Sequence, residues 1–175
     1  MVKPFRFARL PLIYFGSGKI SEITGIALKF GTSVLLVTGK SSFINSPHYE
    51  SLLGQFRKNN IRVHNIRVAS EPSPELIDDT VSSLSGERID VVVSIGGGSV
   101  IDAGKAISAM LNKTGSVREF LEIVGDKEHP GTRVPFIAIP TTSGTGSEAT
   151  KNAVISEVGK DGFKRSLRHD NLVPD

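Results

Sequence analysis

Residues 90–108 read DVVVSIGGGSVIDAGKAIS, and this stretch decides the fold. Val91, Val92, Val93 and Ile95 make a short apolar run, the pattern of a strand buried on both faces. Gly96, Gly97 and Gly98 follow, then Ser99, after which Val100, Ile101, Ala103, Gly104, Ile107 and Met110 recur at helical spacing. A strand, a glycine turn and a helix start in that order aim free backbone N–H groups and the positive end of the helix dipole at the turn. Glycines remove the Cβ atoms that would keep a ligand off the backbone, so the expected ligand is an anion such as a phosphate or pyrophosphate. The plainer reading is a tight turn in which Ser99 caps the helix and Asp102 assists as in a short capping box. One glycine would serve that turn; three favour close approach of a ligand.

Working outward, Val34–Leu35–Leu36–Val37 reads as a second buried strand, ending in Thr38, Gly39, Lys40, Ser41 and Ser42. Residues 61–68 alternate apolar and polar and read as a third, and Phe136–Ile137–Ala138–Ile139 as a fourth. Helical spacing links them: Ile20 to Phe30, capped by Ser17 or Ser21, then Leu52, Leu53 and Phe56, and then Leu76, Ile77, Val81 and Leu84 behind Pro74. Alternating strands and helices predict an α/β, doubly wound, Rossmann-like parallel sheet. Residues 5–9 and 12–15 flank Pro11 and read as an N-terminal β-hairpin-like segment. The whole of residues 1–175 is taken as one dinucleotide-binding domain.

Composition narrows the function. Hydrophobic residues make up 38% and charged residues 22%, a globular balance, and the formal net charge of +3 is too small to point to nucleic acid. The basic run Lys164–Arg165–Ser166–Leu167–Arg168–His169 is read first as a solvated face. No cysteine occurs, which excludes disulfides, thiolate metal sites and cysteine nucleophiles. No apolar run reaches membrane-spanning length and the start of the chain lacks a signal-peptide pattern, so a cytoplasmic location and no membrane partner are expected. His48, His64, His129 and His169 fall in no short metal motif, and the first three are read as surface or loop residues.

Three near-matches fail. Gly96-x-Gly98 lacks the third small residue of the dinucleotide fingerprint, because Ile101 stands there. Gly39–Lys40–Ser41 copies the tail of a Walker A loop, but its first glycine would have to be Val34, inside a strand. No Gly-x-Ser-x-Gly elbow surrounds any serine. What remains is the loop Thr141–Thr142–Ser143–Gly144–Thr145–Gly146–Ser147–Glu148, whose hydroxyls would wall a ligand at the carboxyl ends of parallel strands.

Taken in order, Gly16–Ser17–Gly18, Thr38–Gly39–Lys40, GGGSVIDAGKA from Gly96 and IPTTSGTGSEAT from Ile139 resemble the iron-containing (group III) alcohol dehydrogenases. That resemblance implies a dinucleotide-binding domain which, in the family, precedes an all-helical domain carrying Asp and His metal ligands. The helical domain is read as absent from this chain, with Asp175 too early to be the metal-binding Asp. It further implies that Gly97, Gly98, Ser99 and Asp102 hold the pyrophosphate, and that Thr141, Thr142 and Thr145 line the adenosine and ribose side. Ser73 would lie by the adenine, and Asn152 and Lys164 would reach the nicotinamide ribose.

The expected activity is hydride transfer between a nicotinamide and a small alcohol or aldehyde, with a divalent metal, Fe or Zn, only in the full-length enzyme. No catalytic or metal-ligating residue is assigned within this chain, which alone should be inactive. Many NAD-using relatives carry a carboxylate at the position of Gly39; its loss, beside Lys40, Ser41 and Ser42, predicts NADP over NAD. The alternatives are a stand-alone dinucleotide-binding module, or another enzyme of the same architecture, such as a maleylacetate reductase, a dehydroquinate synthase or a glycerol-type dehydrogenase. Surface left bare by the absent domain is expected to favour a homo-oligomer.

Overall fold

The computed structural model describes Pro4 and residues 9–175. Four parallel strands form one sheet: β1 (Ser33–Gly39), β2 (Arg62–Val68), β3 (Val91–Gly96) and β4 (Phe136–Pro140), in the order β2-β1-β3-β4. The register places Leu35 beside His64 on one side and beside Val92 on the other, and Ser94 beside Ala138. The helices are α1 (Ile23–Ala27), α2 (Pro47–Lys58), α3 (Pro74–Ser83) and α4 (Gly98–Met110).

Alternation along the strands divides the core in two, since successive side chains point to opposite faces. Val34, Leu36, Val91, Val93 and Ile95 meet Ile23, Ala27, Leu52 and Phe56 from α1 and α2. Leu35, Val37, Val92 and Phe136 meet Ile77 from α3 and Ile101, Ala103 and Ile107 from α4. Helices on both faces make the sheet doubly wound, as expected. The central strands β1 and β3 are buried almost throughout and mostly apolar because both their faces are covered, whereas β2 lies at the edge and keeps polar positions exposed.

Three expectations change. The stretch from Ile20 to Phe30 is not one helix: a 3-10 turn (Lys19–Glu22) leads into the short α1. Neither Ser17 nor Ser21 caps it; Gly18 does, in the left-handed conformation at φ 75°. Of the N-terminal hairpin-like segment, residues 12–15 carry no strand and residues 5–8 lie outside the described residues. A hairpin that sequence reading did not foresee is β5 (Asn152–Glu157) with β6 (Phe163–Arg168), an antiparallel pair packed against α4.

The basic run at residues 164–169 is therefore mostly strand, not a free solvated face. Leu167 enters the core, Arg168 pairs with Glu122 at 3.2 Å and Lys164 with Glu71 at 2.8 Å. Arg118 closes the other end of the hairpin, pairing with Glu157 and stacking 5.2 Å over Phe163. Among the described residues no helix is long and apolar enough to cross a membrane.

Candidate functional site

The strand order reverses between β1 and β3, so the crevice where ligands enter doubly wound sheets lies between the ends of those strands. Only Gly97 separates β3 from α4. Gly97 itself is the N-cap, in extended conformation, and its carbonyl accepts from Val100 at 3.0 Å and Ile101 at 3.1 Å. Ser99 is thus inside the first turn rather than at the cap, which corrects the sequence expectation. The N–H groups of Gly98 and Ser99 have no carbonyl of the preceding turn to reach, and both residues line a pocket.

That pocket has a volume of about 230 Å³ and is lined by Gly98, Ser99 and Asp102 from α4. Glu71 and Pro72 ahead of α3, Thr145 and Ser147, and Val154, Ser156 and Lys164 of the hairpin close it. The volume falls below the roughly 300–1,000 Å³ of complete small-molecule sites, so it suits one part of a ligand such as a pyrophosphate and ribose. Glycine is needed here for space: a Cβ on Gly98 would come 3.3 Å from Thr145 Cβ, and one on Gly97 would come 3.3 Å from Thr142 Oγ1.

Asp102 does not cap α4. It points to the hairpin, accepting hydrogen bonds from the Ser147 hydroxyl and the Val154 N–H. Burial raises its carboxyl above the usual carboxylate range, opposed by the nearby Lys105 charge. One turn on, the fully buried Lys105 donates to the carbonyls of Ser147 (2.7 Å), Thr150 (2.6 Å) and Asn152 (3.0 Å). Burial lowers its ammonium to about 8.

On the opposite wall, Glu71 accepts from Lys164 Nζ at 2.8 Å and from Ser156 Oγ at 2.6 Å. The lysine hydrogen bond, then the serine, holds the Glu71 carboxyl below the usual carboxylate range. These contacts tie the hairpin to the segment before α3.

The structure thus gathers Gly98, Ser99, Asp102, Thr145 and Lys164 at one pocket, with Gly97 and Thr142 in contact behind it. Thr141 continues from β4, its N–H bonded to Gly96 at 2.9 Å. Asn152 contributes its carbonyl to Lys105. Ser73 caps α3, accepting from Leu76 N at 3.2 Å, so its hydroxyl already has a partner. Gly39, Lys40, Ser41 and Ser42 line the far side of the strand-order reversal, where a Cβ on Gly39 would come 3.6 Å from Val100.

Sequence reasoning missed Glu71, Lys105 and Ser156, whereas Ser147 stands in the loop whose hydroxyls were expected to wall a ligand. The period-two alternation Ala153, Ile155 and Phe163, Arg165, Leu167 could have exposed the hairpin that carries Ser156. His129 lies in a loop, as expected, but it is buried there, its ring nitrogens engaged with Ala109 O at 3.2 Å and Gly131 N at 3.1 Å.

The described residues do not fit a metal: among them, no three His, Asp or Glu side chains converge. Asp175 lies at the other end of β4, where its carboxylate accepts from Phe136 N at 2.8 Å and pairs with Arg133 at 2.6 Å. It stands at the start of the sheet's strands, away from the pocket.

Fold and site together define a doubly wound α/β domain with an anion-ready helix start at its strand-order reversal. Residues 11–175 match the family model described as iron-containing alcohol dehydrogenase, and the chain belongs to that family. It is 30% identical over 167 residues to long-chain-alcohol dehydrogenase 1 of Geobacillus thermodenitrificans, covering 94% of this chain and 41% of that protein. The NADH-dependent butanol dehydrogenase A structure from Thermotoga maritima superposes with a TM-score of 0.86 at 25% identity, over 98% of this chain and 43% of that one. Sulfoacetaldehyde reductase from Bifidobacterium kashiwanohense, solved in complex with NAD+, gives 0.81 at 26% identity, over 98% and 44%. The chain therefore spans less than half the length of these relatives.

Proposed function

We propose that this chain is the nicotinamide-dinucleotide-binding half of an alcohol dehydrogenase or aldehyde reductase, with NADPH preferred over NADH. The observation that carries the reading is the pocket opening on the Gly98 and Ser99 N–H groups at the reversal of strand order. Gly97, Gly98 and Ser99 would receive the pyrophosphate, and Thr141, Thr142 and Thr145 would flank it from the loop after β4. Lys164 and Asn152, from the hairpin, would stand toward the nicotinamide ribose, and Ser73 toward the adenine.

When bound, the nicotinamide supplies or takes up the hydride exchanged with a small alcohol or aldehyde. The residues of this chain bind and orient. No step is assigned to a metal here, because the residues present do not form a site for one. Turnover is expected only together with the further length that the relatives possess.

Coenzyme choice rests on the loop after β1. A solved relative with NADH in its name and one holding NAD+ support a nicotinamide dinucleotide. The chemistry of Gly39, Lys40, Ser41 and Ser42 favours a 2′-phosphate, because no carboxylate side chain stands in that run and one ammonium does. A charged hydrogen bond contributes about 1.5–3 kcal/mol, or roughly tenfold or more in affinity.

Fluorescence titration with NADPH and NADH tests this. NADPH is expected to bind about tenfold tighter, and Gly39→Asp to reverse the order. Equal affinities, or tighter NADH, overturn the NADPH preference; no saturable binding of either overturns the dinucleotide reading.

A further inference from the structure

The loop between β4 and β5, residues 141–151, has no regular structure, yet two of its side chains, Thr145 and Ser147, form a wall of the pocket. Its ends are pinned, Thr141 N to Gly96 O at 2.9 Å and His169 N to Lys151 O at 3.2 Å, while bonds within its middle are short in range, such as Ala149 N to Gly146 O at 3.0 Å. Something else must hold that middle against α4.

The three Lys105 hydrogen bonds supply that hold. An ammonium carries three N–H donors, and here the carbonyls of Ser147, Thr150 and Asn152 take one each. All three acceptors belong to one short span at the end of the loop and the start of the hairpin. Asp102 from α4 and Glu148 from the loop favour the charge, while Arg133 ahead of β4 opposes it. Lys105 lies one turn beyond Asp102, whose carboxylate takes Ser147 Oγ and Val154 N. The same helix whose start faces the pocket thus grips the opposite wall from its second turn.

We infer that Lys105 is a positioning residue: its ammonium tethers the loop of residues 141–151 to α4 and so sets the width of the pocket over Gly98 and Ser99. A buried lysine is costly, and an apolar side chain of the same reach would fill the space without that cost. The arrangement is explained by what the charge holds, not by what it adds to the core. The inference rests on the dinucleotide reading only for its consequence in binding; the tether itself is a property of the free chain.

Two variants of this chain separate the possibilities. Lys105→Met keeps the length and removes the donors. Lys105→Ala leaves a channel that n-propylammonium, with three methylenes and an ammonium, would refill. Amide exchange at Ser147 and Ala149, whose N–H groups bond within the loop, reports the loop, and exchange within β1 and β3 reports the core. Exchange at the loop amides is expected to speed up about tenfold or more in both variants, with the core unchanged. Dinucleotide affinity should fall by a similar factor.

n-Propylammonium, but not n-propanol, should restore loop protection in Lys105→Ala. Unchanged loop exchange in Lys105→Met overturns the tether, as does equal rescue by propanol. Loss of core protection in both variants also overturns it, since Lys105 would then be a support of the whole fold. If the unaltered chain binds no dinucleotide, the functional reading fails while the exchange measurements still decide the tether.

Discussion

Two loops leave neighbouring parallel strands at the same end of the sheet, and they meet different fates. After β3, a single residue intervenes before α4 begins, so the helix start, its free N–H groups and its dipole lie at the strand end. After β1, residues 40–46 intervene as turns, with Asn45 N bonded to Ser41 O and Ser46 N to Phe43 O, before α2 starts at Pro47. Both strands end in glycine, Gly39 and Gly96, and serines follow within a few residues of each. The distance from strand end to helix start decides which one presents a backbone anion site. The β1 loop is left to act through side chains, Lys40 foremost, which suits discrimination at one end of a ligand whose centre is held elsewhere.

The sharpest way to break this contrast is to add a side chain on each side. Gly98→Val should abolish saturable dinucleotide binding, because its branches would fill the space between the α4 start and Thr145. Ser41→Val in the exposed β1 loop should leave binding in place. Loss of binding in both, or in neither, by fluorescence titration would erase the distinction between the two loops.

The short β3–α4 connection also depends on close packing behind it. A Cβ on Gly104 would fall 1.8 Å from Ser94 Oγ and 3.1 Å from Phe136 Cε2. Gly104→Ala should destabilise the chain by about 1–3 kcal/mol in urea unfolding, the usual cost of overpacking. Adding Ser94→Ala should recover part of that loss. No such pairing exists on the β1 side, where a Cβ on Gly54 of α2 would meet nothing within 4 Å, and Gly54→Ala is expected to be neutral or mildly stabilising.

The smallest effect lies at the far end of α4. His129 bonds Ala109 O there and accepts from Gly131 N, which requires a neutral ring. Burial lowers its proton affinity below the ordinary value of 6.5. The unfolded chain therefore takes up this proton first as pH falls, and stability should decline from pH 6.5 downward through the folded value. His129→Gln should flatten that part of a thermal-melt profile against pH. An unchanged slope would remove His129 from the account.

Much of this was legible in the order of residues. Continuous apolar runs at Val34 and Val91 announced strands covered on both faces, and three glycines before helical spacing announced the anion site, because burial and backbone sterics act locally. The hairpin was harder to see. Its alternation is masked by Lys164 and Arg168, which look like part of a solvated run until Glu71 and Glu122 supply their partners. The burial of His129 was hidden for a like reason, since one of its two ring partners, Ala109 O, lies on α4.

Residues 90–108 by themselves determined a buried strand, a glycine turn and a helix start. Only the tertiary structure decided that Gly97 rather than Ser99 caps the helix and that Asp102 turns away from it. Only the folded chain brings Glu71, Asp102, Ser156 and Lys164 to the same pocket and sets Lys105 behind its wall. The physical reason is range: turn chemistry and periodicity act over a few residues, whereas a buried ammonium or carboxylate is placed by partners some forty to ninety positions away.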